Sequence, residues 1–253
     1  MLFQIAGAVG IAKKVGVGFS IPNLMSHLDY LNNDQYYNDK LKHSFDYLKL
    51  FNNLNHSPIQ GNLKNVRYPF EYVDYNLNVG NYVIDGFFQT EKYFINAKNE
   101  ILTLIKEPET LQEIINERYP QFSSRTTSIH VRRGDYLKNP NYHPTQPMSY
   151  YVEAMGILDD ETDYYLVFSD DIEWCKNNFI GDKFVYIDSE IDYIDLFLMA
   201  RCDNNIICNS SFSWWGAWLN KNENKKVVAP TLWFGPVVGE NTNDIIPDNW
   251  VKL

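Results

Sequence analysis

Ser128–Tyr136 reads SIHVRRGDY, a β-branched run that ends in two adjacent arginines, a glycine and an aspartate. That order describes a strand with a fork of cationic donors at its mouth. Ligands of open α/β sheets bind beyond the carboxyl ends of the strands, and a planar guanidinium matches paired phosphate oxygens better than a lysine does. The stretch therefore predicts an α/β fold with a nucleoside diphosphate as its guest. An isolated Arg132-Arg133 pair beside a turn also reads as solvated surface charge, so the segments on either side decide between the two.

From about Thr127 onward, apolar runs of strand length alternate with helix-length segments, as in a βαβ wind. The strands are expected at Ser128–Val131, Tyr164–Phe168, Phe184–Ile187, Ile206–Cys208 and Val227–Ala229. Helices are expected at Met148–Leu158, Ile172–Asn178, Asp192–Cys202 and Trp214–Lys221. Ser189 and Asp192 have the spacing of a capping box, and Ile191, Ile194, Leu198 and Cys202 recur at helical spacing. This half reads as one Rossmann-like domain, 126–253. The first half, 1–125, is less regular. It carries an amphipathic run over Met1–Val15, a polar aromatic helix over Asp34–Leu54, a strand near Tyr82–Phe88, and helices over Glu91–Ile105 and Pro108–Arg118. The polar stretch Pro120–Thr127 reads as the linker.

Composition narrows the function. The 253 residues carry a formal charge of −10 and 45% apolar side chains, enough to fill a core and poorly matched to nucleic acid, which needs clustered cationic surface. A small anion in one focused basic pocket remains compatible with that charge. The 18 tyrosines and 6 tryptophans offer flat faces for sugar rings as well as core packing. Cys175, Cys202 and Cys208 have no CxxC spacing and read as buried free thiols of a reducing compartment. No signal peptide is evident, and no apolar run reaches the roughly 18 to 20 residues that span a bilayer. A cytoplasmic chain is expected, with no metal ligands, since no DxD follows a strand and no His or Cys cluster is present.

Two further motifs stand at strand ends. In Phe168-Ser169-Asp170-Asp171 the carboxylates suit ribose hydroxyls or guanine N–H groups, and Ser-Asp-Asp equally suits a helix start. In Cys208–Leu219, CNSSFSWWGAWL, the amides and hydroxyls of Ser210 and Ser211 at a helix N-terminus form a place for phosphate oxygens. Ser213 reads there as a cap, and Trp214, Trp215 and Trp218 as core.

HVRRGDY, FSDD and NSSFSWWGAWL, in this order and at these separations, resemble the three motifs of the α-1,2-fucosyltransferases of glycosyltransferase family 11. Asp85–Phe94, DGFFQTEKYF, is similar to a further segment of that family, and 229–253 to its closing segment. The resemblance runs essentially end to end. It implies a GT-B-like fold of two Rossmann-type halves facing a cleft, with 1–125 on the acceptor side and GDP-fucose held by 126–253. It also implies that the enzyme is a galactoside 2-α-L-fucosyltransferase: an inverting, metal-independent transfer of L-fucose from GDP-fucose to the 2-hydroxyl of a terminal galactose, with no cofactor.

By the same resemblance, Arg132 contacts the leaving β-phosphate. Asp195 holds guanine, which presents an N1 and N2 donor pair that adenine lacks. Arg133, Asp170, Ser210, Ser211 and Phe212 complete the donor site. His130, Asp135 and Glu91 stand open as the base. Family members open with a strand and a Gly-Gly-Leu-Gly-Asn-Gln turn, whereas Met1-Leu2-Phe3-Gln4 matches the helix after it, so the acceptor-side half is expected to lack its first strand. That departure keeps a second reading open, a catalytically silent nucleotide-sugar or glycan-binding homologue; transfer from another nucleotide sugar is a third. The acceptors implied are galactose-terminated glycans, and lipid-linked ones would bring the chain to the inner membrane surface by peripheral contact.

Overall fold

The computed structural model describes residues 1–22, 24, 51, 54–188 and 192–253. The helix expected over 34–54 lies, apart from Phe51 and Leu54, outside the described residues, as do Ser189 and Ile191 of the expected cap. Two units are distinct: Met1–Lys106 with Glu240–Pro247, and Glu107–Gly239 with Asp248–Leu253.

In the first unit, helix α1 (Leu2–Val15) precedes two parallel strands, β1 (Lys64–Arg67) and β2 (Tyr82–Asp85), paired Lys64 to Tyr82. α1 buries Phe3, Ile5, Ala6, Val9 and Ala12 and closes on Gly16 at φ 77°, where a left-handed turn favours glycine. The expected helix over Glu91–Ile105 is divided. Short 3-10 turns at Glu91–Tyr93 and Ile95–Ala97 precede α2 (Lys98–Leu104), because Phe94 leaves helical geometry at ψ 5° to bury its ring completely. Gly10 permits this, since a Cβ there would stand 2.5 Å from Phe94 Cα and closer still to the Tyr93 carbonyl. Phe88 takes φ 53°, uncommon for a bulky residue. Tyr68 at 5.2 Å and Tyr93 at 5.3 Å enclose its ring, and Gly7 of α1 lies against it.

The second unit starts with α3 (Leu111–Arg118). The residues read as a linker form a 3-10 turn, Pro120–Ser123, and Thr126 already opens β3. A parallel sheet follows: β3 (Thr126–Val131), α4 (Met148–Leu158), β4 (Tyr164–Ser169), α5 (Ile172–Asn178), β5 (Phe184–Tyr186), α6 (Asp192–Arg201), β6 (Asn204–Ile206), α7 (Ser211–Leu219), β7 (Val227–Ala229) and β8 (Val251–Lys252). Its strand order is β5-β4-β3-β6-β7-β8, and every pairing is parallel. That is the doubly wound order, with the chain reversing its direction of winding between β3 and β6.

All six residues of β3 are buried, as a central strand covered on both faces requires. Alternation divides them. Ile129 and Val131 join Tyr151, Ala154, Leu158, Val167 and Phe179 in the core. On the opposite face Ser128 accepts from Asn205 Nδ2 at 2.7 Å and His130 meets Cys208. β6 starts two residues before its expected place, because the Asn204 and Asn205 side chains satisfy themselves inside: Asn205 donates to the Met199 carbonyl and accepts from Asn220. α7 starts three residues early, at Ser211, under the Ser210 cap. Both sheets are wholly parallel, and the α/β class follows.

Gly10→Ala is expected to lower the stability of the first unit by about 1–3 kcal/mol through overpacking, read as a fall in the urea midpoint with an unchanged m value.

Candidate active site

The open end of the β3–β6 divide collects the residues that the motifs singled out. β3 ends at Val131 and hands over to Arg132, Arg133, Gly134 and Asp135; β4 ends at Ser169 and hands over to Asp170 and Asp171. The loop after β6 leads to Ser210, and the first turn of α6 brings Asp195 to the same edge of the sheet.

The two arginines have different settings. Arg132 is 35% exposed and donates from Nε to Asp135 Oδ1 at 2.9 Å, with Nη2 ion-paired to the same oxygen at 2.8 Å; Nε also lies 3.2 Å from Asp170 Oδ2. Its Nη1 has no hydrogen-bond partner among the described residues. Burial opposes its charge, but Asp170 and Asp135 outweigh burial and hold the guanidinium pKa above its ordinary value. Arg133 is 19% exposed. It donates to Asp171 Oδ2 at 3.0 Å and stacks over Trp174 with Cζ 4.2 Å from the ring centroid, a cation–π contact. Asp171 also caps α5 by accepting from the Trp174 amide at 3.2 Å. Arg133, Asp171 and Trp174 thus brace one another, and Arg132 keeps an open edge.

Asp170 accepts from the Arg133 and Gly134 amides at 2.9 and 3.0 Å. Gly134 admits it, since an added Cβ would stand 2.6 Å from its Oδ2. His130 is 5% exposed, with Nδ1 3.1 Å from Cys208 Sγ and its ring 5.5 Å from Phe212. Burial and then the Arg132 charge push its pKa down to about 3, while burial first of all pushes the Cys208 thiol up to about 12. Both groups are neutral at pH 7. His130 is therefore a poor proton acceptor and a fixed wedge beneath the arginine loop.

At the start of α7, Ser210 is spent internally. Its amide donates to the Cys208 carbonyl at 2.8 Å and its Oγ accepts from the Phe212 amide at 3.3 Å. Ser213 Oγ bonds back to the Ser210 carbonyl rather than capping. Ser211 is exposed, and its amide has no partner among the described residues. Trp214, Trp215 and Trp218 are buried, with Trp250 5.5 Å from Trp214. Asp195 is half-buried on α6 near Tyr119. Burial, and Asp195 against the opposing Arg118 charge, raise that phenol's pKa. Glu91 belongs to the first unit.

Several bonds of the site escaped the sequence, although Tyr136 and Asn209 lie inside two of its motifs. Tyr136 OH donates to the Asn209 carbonyl at 2.9 Å, and Asn209 donates to the Pro144 and Trp233 carbonyls. Tyr150 OH donates to the Ile207 carbonyl at 2.6 Å. These bonds fix the loop between β6 and α7. His143 stacks on Tyr136 at 4.7 Å; burial lowers its pKa, against Asp135 and with Arg132. Loop residues such as His143 and the partners of Tyr136 and Asn209 give no periodic signal that could have shown these roles. Among the described residues, no group of three or more His, Cys, Asp and Glu side chains could hold a metal ion, and no helix is long and apolar enough to cross a membrane.

The sequence profile of glycosyl transferase family 11 matches residues 63–253. The chain belongs to this family. Of curated family 11 relatives, it is 39% identical over 186 residues to the O-antigen biosynthesis glycosyltransferase WbnK of Escherichia coli, covering 68% of this chain and 61% of that one. It is 35% identical over 184 residues to an alpha-1,2-colitosyltransferase of Escherichia coli, covering 66% of this chain and 61% of that one. The chain thus spans 61% of the length of either relative. A solved structure, NodZ alpha-1,6-fucosyltransferase soaked with GDP-fucose, aligns at a TM-score of 0.45 and 13% identity over 86% of this chain and 87% of that one.

The His130 setting carries a sign that can be measured. An unfolded histidine takes up a proton near pH 6.5, whereas the folded one stays neutral to about pH 3. The unfolded state then binds more protons, so stability present above pH 6.5 is lost as pH falls, by up to about 1.4 kcal/mol per pH unit. Urea unfolding of His130→Gln between pH 6.5 and 5 is expected to be flatter with pH than that of the parent.

Proposed function

We propose that this chain carries the donor-binding and transfer machinery of an inverting, metal-independent glycosyltransferase that moves L-fucose from GDP-fucose to the 2-hydroxyl of a terminal galactose. The observation that carries this reading is the open Nη1 of Arg132. Two carboxylates secure the other edge of the guanidinium, and the free edge stands at the carboxyl end of the central strand, where a diphosphate would meet it. The Ser211 amide at the start of α7 adds a donor favoured by the helix dipole. Asp195 is assigned to guanine, and Phe212 to the donor site beside His130. Arg133 braces the arginine loop.

In the transfer, the bond from the anomeric carbon to the β-phosphate oxygen breaks and its electron pair stays on GDP. The acceptor hydroxyl oxygen bonds to that carbon, and its proton passes to a base. Arg132 and the α7 amide stabilise the growing phosphate charge, which lowers the barrier because they bind the transition state more strongly than the intact donor. The buried, neutral His130 is a poor proton acceptor, which leaves Asp135 as the candidate within the second unit. The relative named alpha-1,2-colitosyltransferase favours a second reading, in which the same machinery transfers colitose.

Arg132→Ala is expected to weaken GDP binding at least about tenfold in titration calorimetry and to cut turnover by about 100- to 1000-fold. Arg133→Ala is expected mainly to lower Tm. Undiminished turnover in Arg132→Ala rejects the assignment, and GDP binding without turnover on any galactoside favours a silent homologue.

A further inference from the structure

The arginine loop contains a small anion site that is already filled. The consecutive amides of Arg133 and Gly134 point at one carboxylate, and the Arg132 Nε closes the third side at 2.9, 3.0 and 3.2 Å respectively. Successive backbone N–H groups that converge in this way form an anion-binding nest. The anion is Asp170, a side chain from the neighbouring strand end, 24% exposed. Both of its oxygens are committed: Oδ1 to the Arg133 amide, and Oδ2 to the Gly134 amide and Arg132. Ser169 Oγ, one residue earlier, accepts from the Asp171 amide at 2.9 Å and fixes the turn from which Asp170 projects.

We infer that Asp170 is a positioning residue that contacts neither ribose nor guanine, and that it sets the direction of the Arg132 guanidinium. The inference rests on the donor site proposed above. The paired N1 and N2 donors of guanine need two open acceptor positions on one carboxylate, and three of the roughly four positions of Asp170 are taken inside the loop. Asp135 differs in kind. It reaches Arg132 through Oδ1 alone and stands 37% exposed, so it can yield, whereas two backbone amides hold Asp170 in place. The loop therefore has one fixed carboxylate that aims the arginine and one exposed carboxylate that balances its charge. Gly134 is part of the same device, because only a residue without a Cβ leaves room for Oδ2.

The test compares two probes, GDP and inorganic pyrophosphate, on Asp170→Asn. If Asp170 aims Arg132, both probes lose affinity by the same factor, about 10- to 100-fold, because both depend on the guanidinium and only one carries a nucleoside. A loss confined to GDP overturns the inference and makes Asp170 a nucleoside contact; no loss with either probe also overturns it. The ligand-free protein supplies an independent readout by amide hydrogen exchange. The Arg133 and Gly134 amides are expected to be protected in the parent and to exchange at least about tenfold faster in Asp170→Asn and in Gly134→Ala, the second variant covering a failure of the first to fold. Unchanged exchange in a folded variant overturns the inference. A parent that binds neither probe yet shows this exchange pattern refutes the donor site and leaves the role of Asp170 in the loop intact.

Discussion

Everything at this site descends from a divergence of the chain around β3. The strand is flanked by β4 on one side and β6 on the other, and the chain reverses its direction of winding between them, so the loops beyond its end part. Burial on both faces makes that divergence rigid. A strand so placed cannot shift register without moving Ile129 and Val131 out of the core and Ser128 and His130 into it. The two arginines beyond the strand therefore inherit a fixed origin, and their differences arise from what lies next to them.

What lies next to them is mostly negative. Asp135, Asp170 and Asp171 face two guanidinium groups, so the loop has no surplus of positive charge despite its arginines. Its one open cationic edge comes from geometry. Arg133 is consumed by Asp171 and the Trp174 face, while Arg132 keeps one edge open. The same sorting recurs at α7, where Ser210 satisfies its own loop and Ser211 stays outward. In each pair, one residue builds the framework and its neighbour in sequence keeps donors free of it.

The sequence was most legible where burial imposes a period. α4, α5 and β7 occupy the residues expected of them, and the alternation after Thr127 contained five of the six strands of the sheet; β8, two exposed residues at Val251–Lys252, was not read. It was less legible where side chains satisfy buried polarity. Asn204 and Asn205 lay outside the expected strand, yet they form β6 because Asn205 bonds Ser128, Met199 and Asn220 and Asn204 accepts from the Lys226 amide. The helix expected over Glu91–Ile105 failed at Phe94 because a close approach to Gly10, 84 residues earlier in the numbering, governs its backbone. The arginine pair was visible as a motif. Which arginine braces and which stays open was not, since that depends on Trp174 and Asp170, brought in from another strand.

The distribution of aromatic residues gives the molecule a built-in optical division. All six tryptophans, Trp174, Trp214, Trp215, Trp218, Trp233 and Trp250, fall in the second unit, and the first has tyrosine and phenylalanine alone. Emission excited selectively at indole therefore follows the melting of one unit, while far-ultraviolet ellipticity sums both. Coincidence of the two curves would mean that the units unfold as a single cooperative system, and separation would give each its own transition.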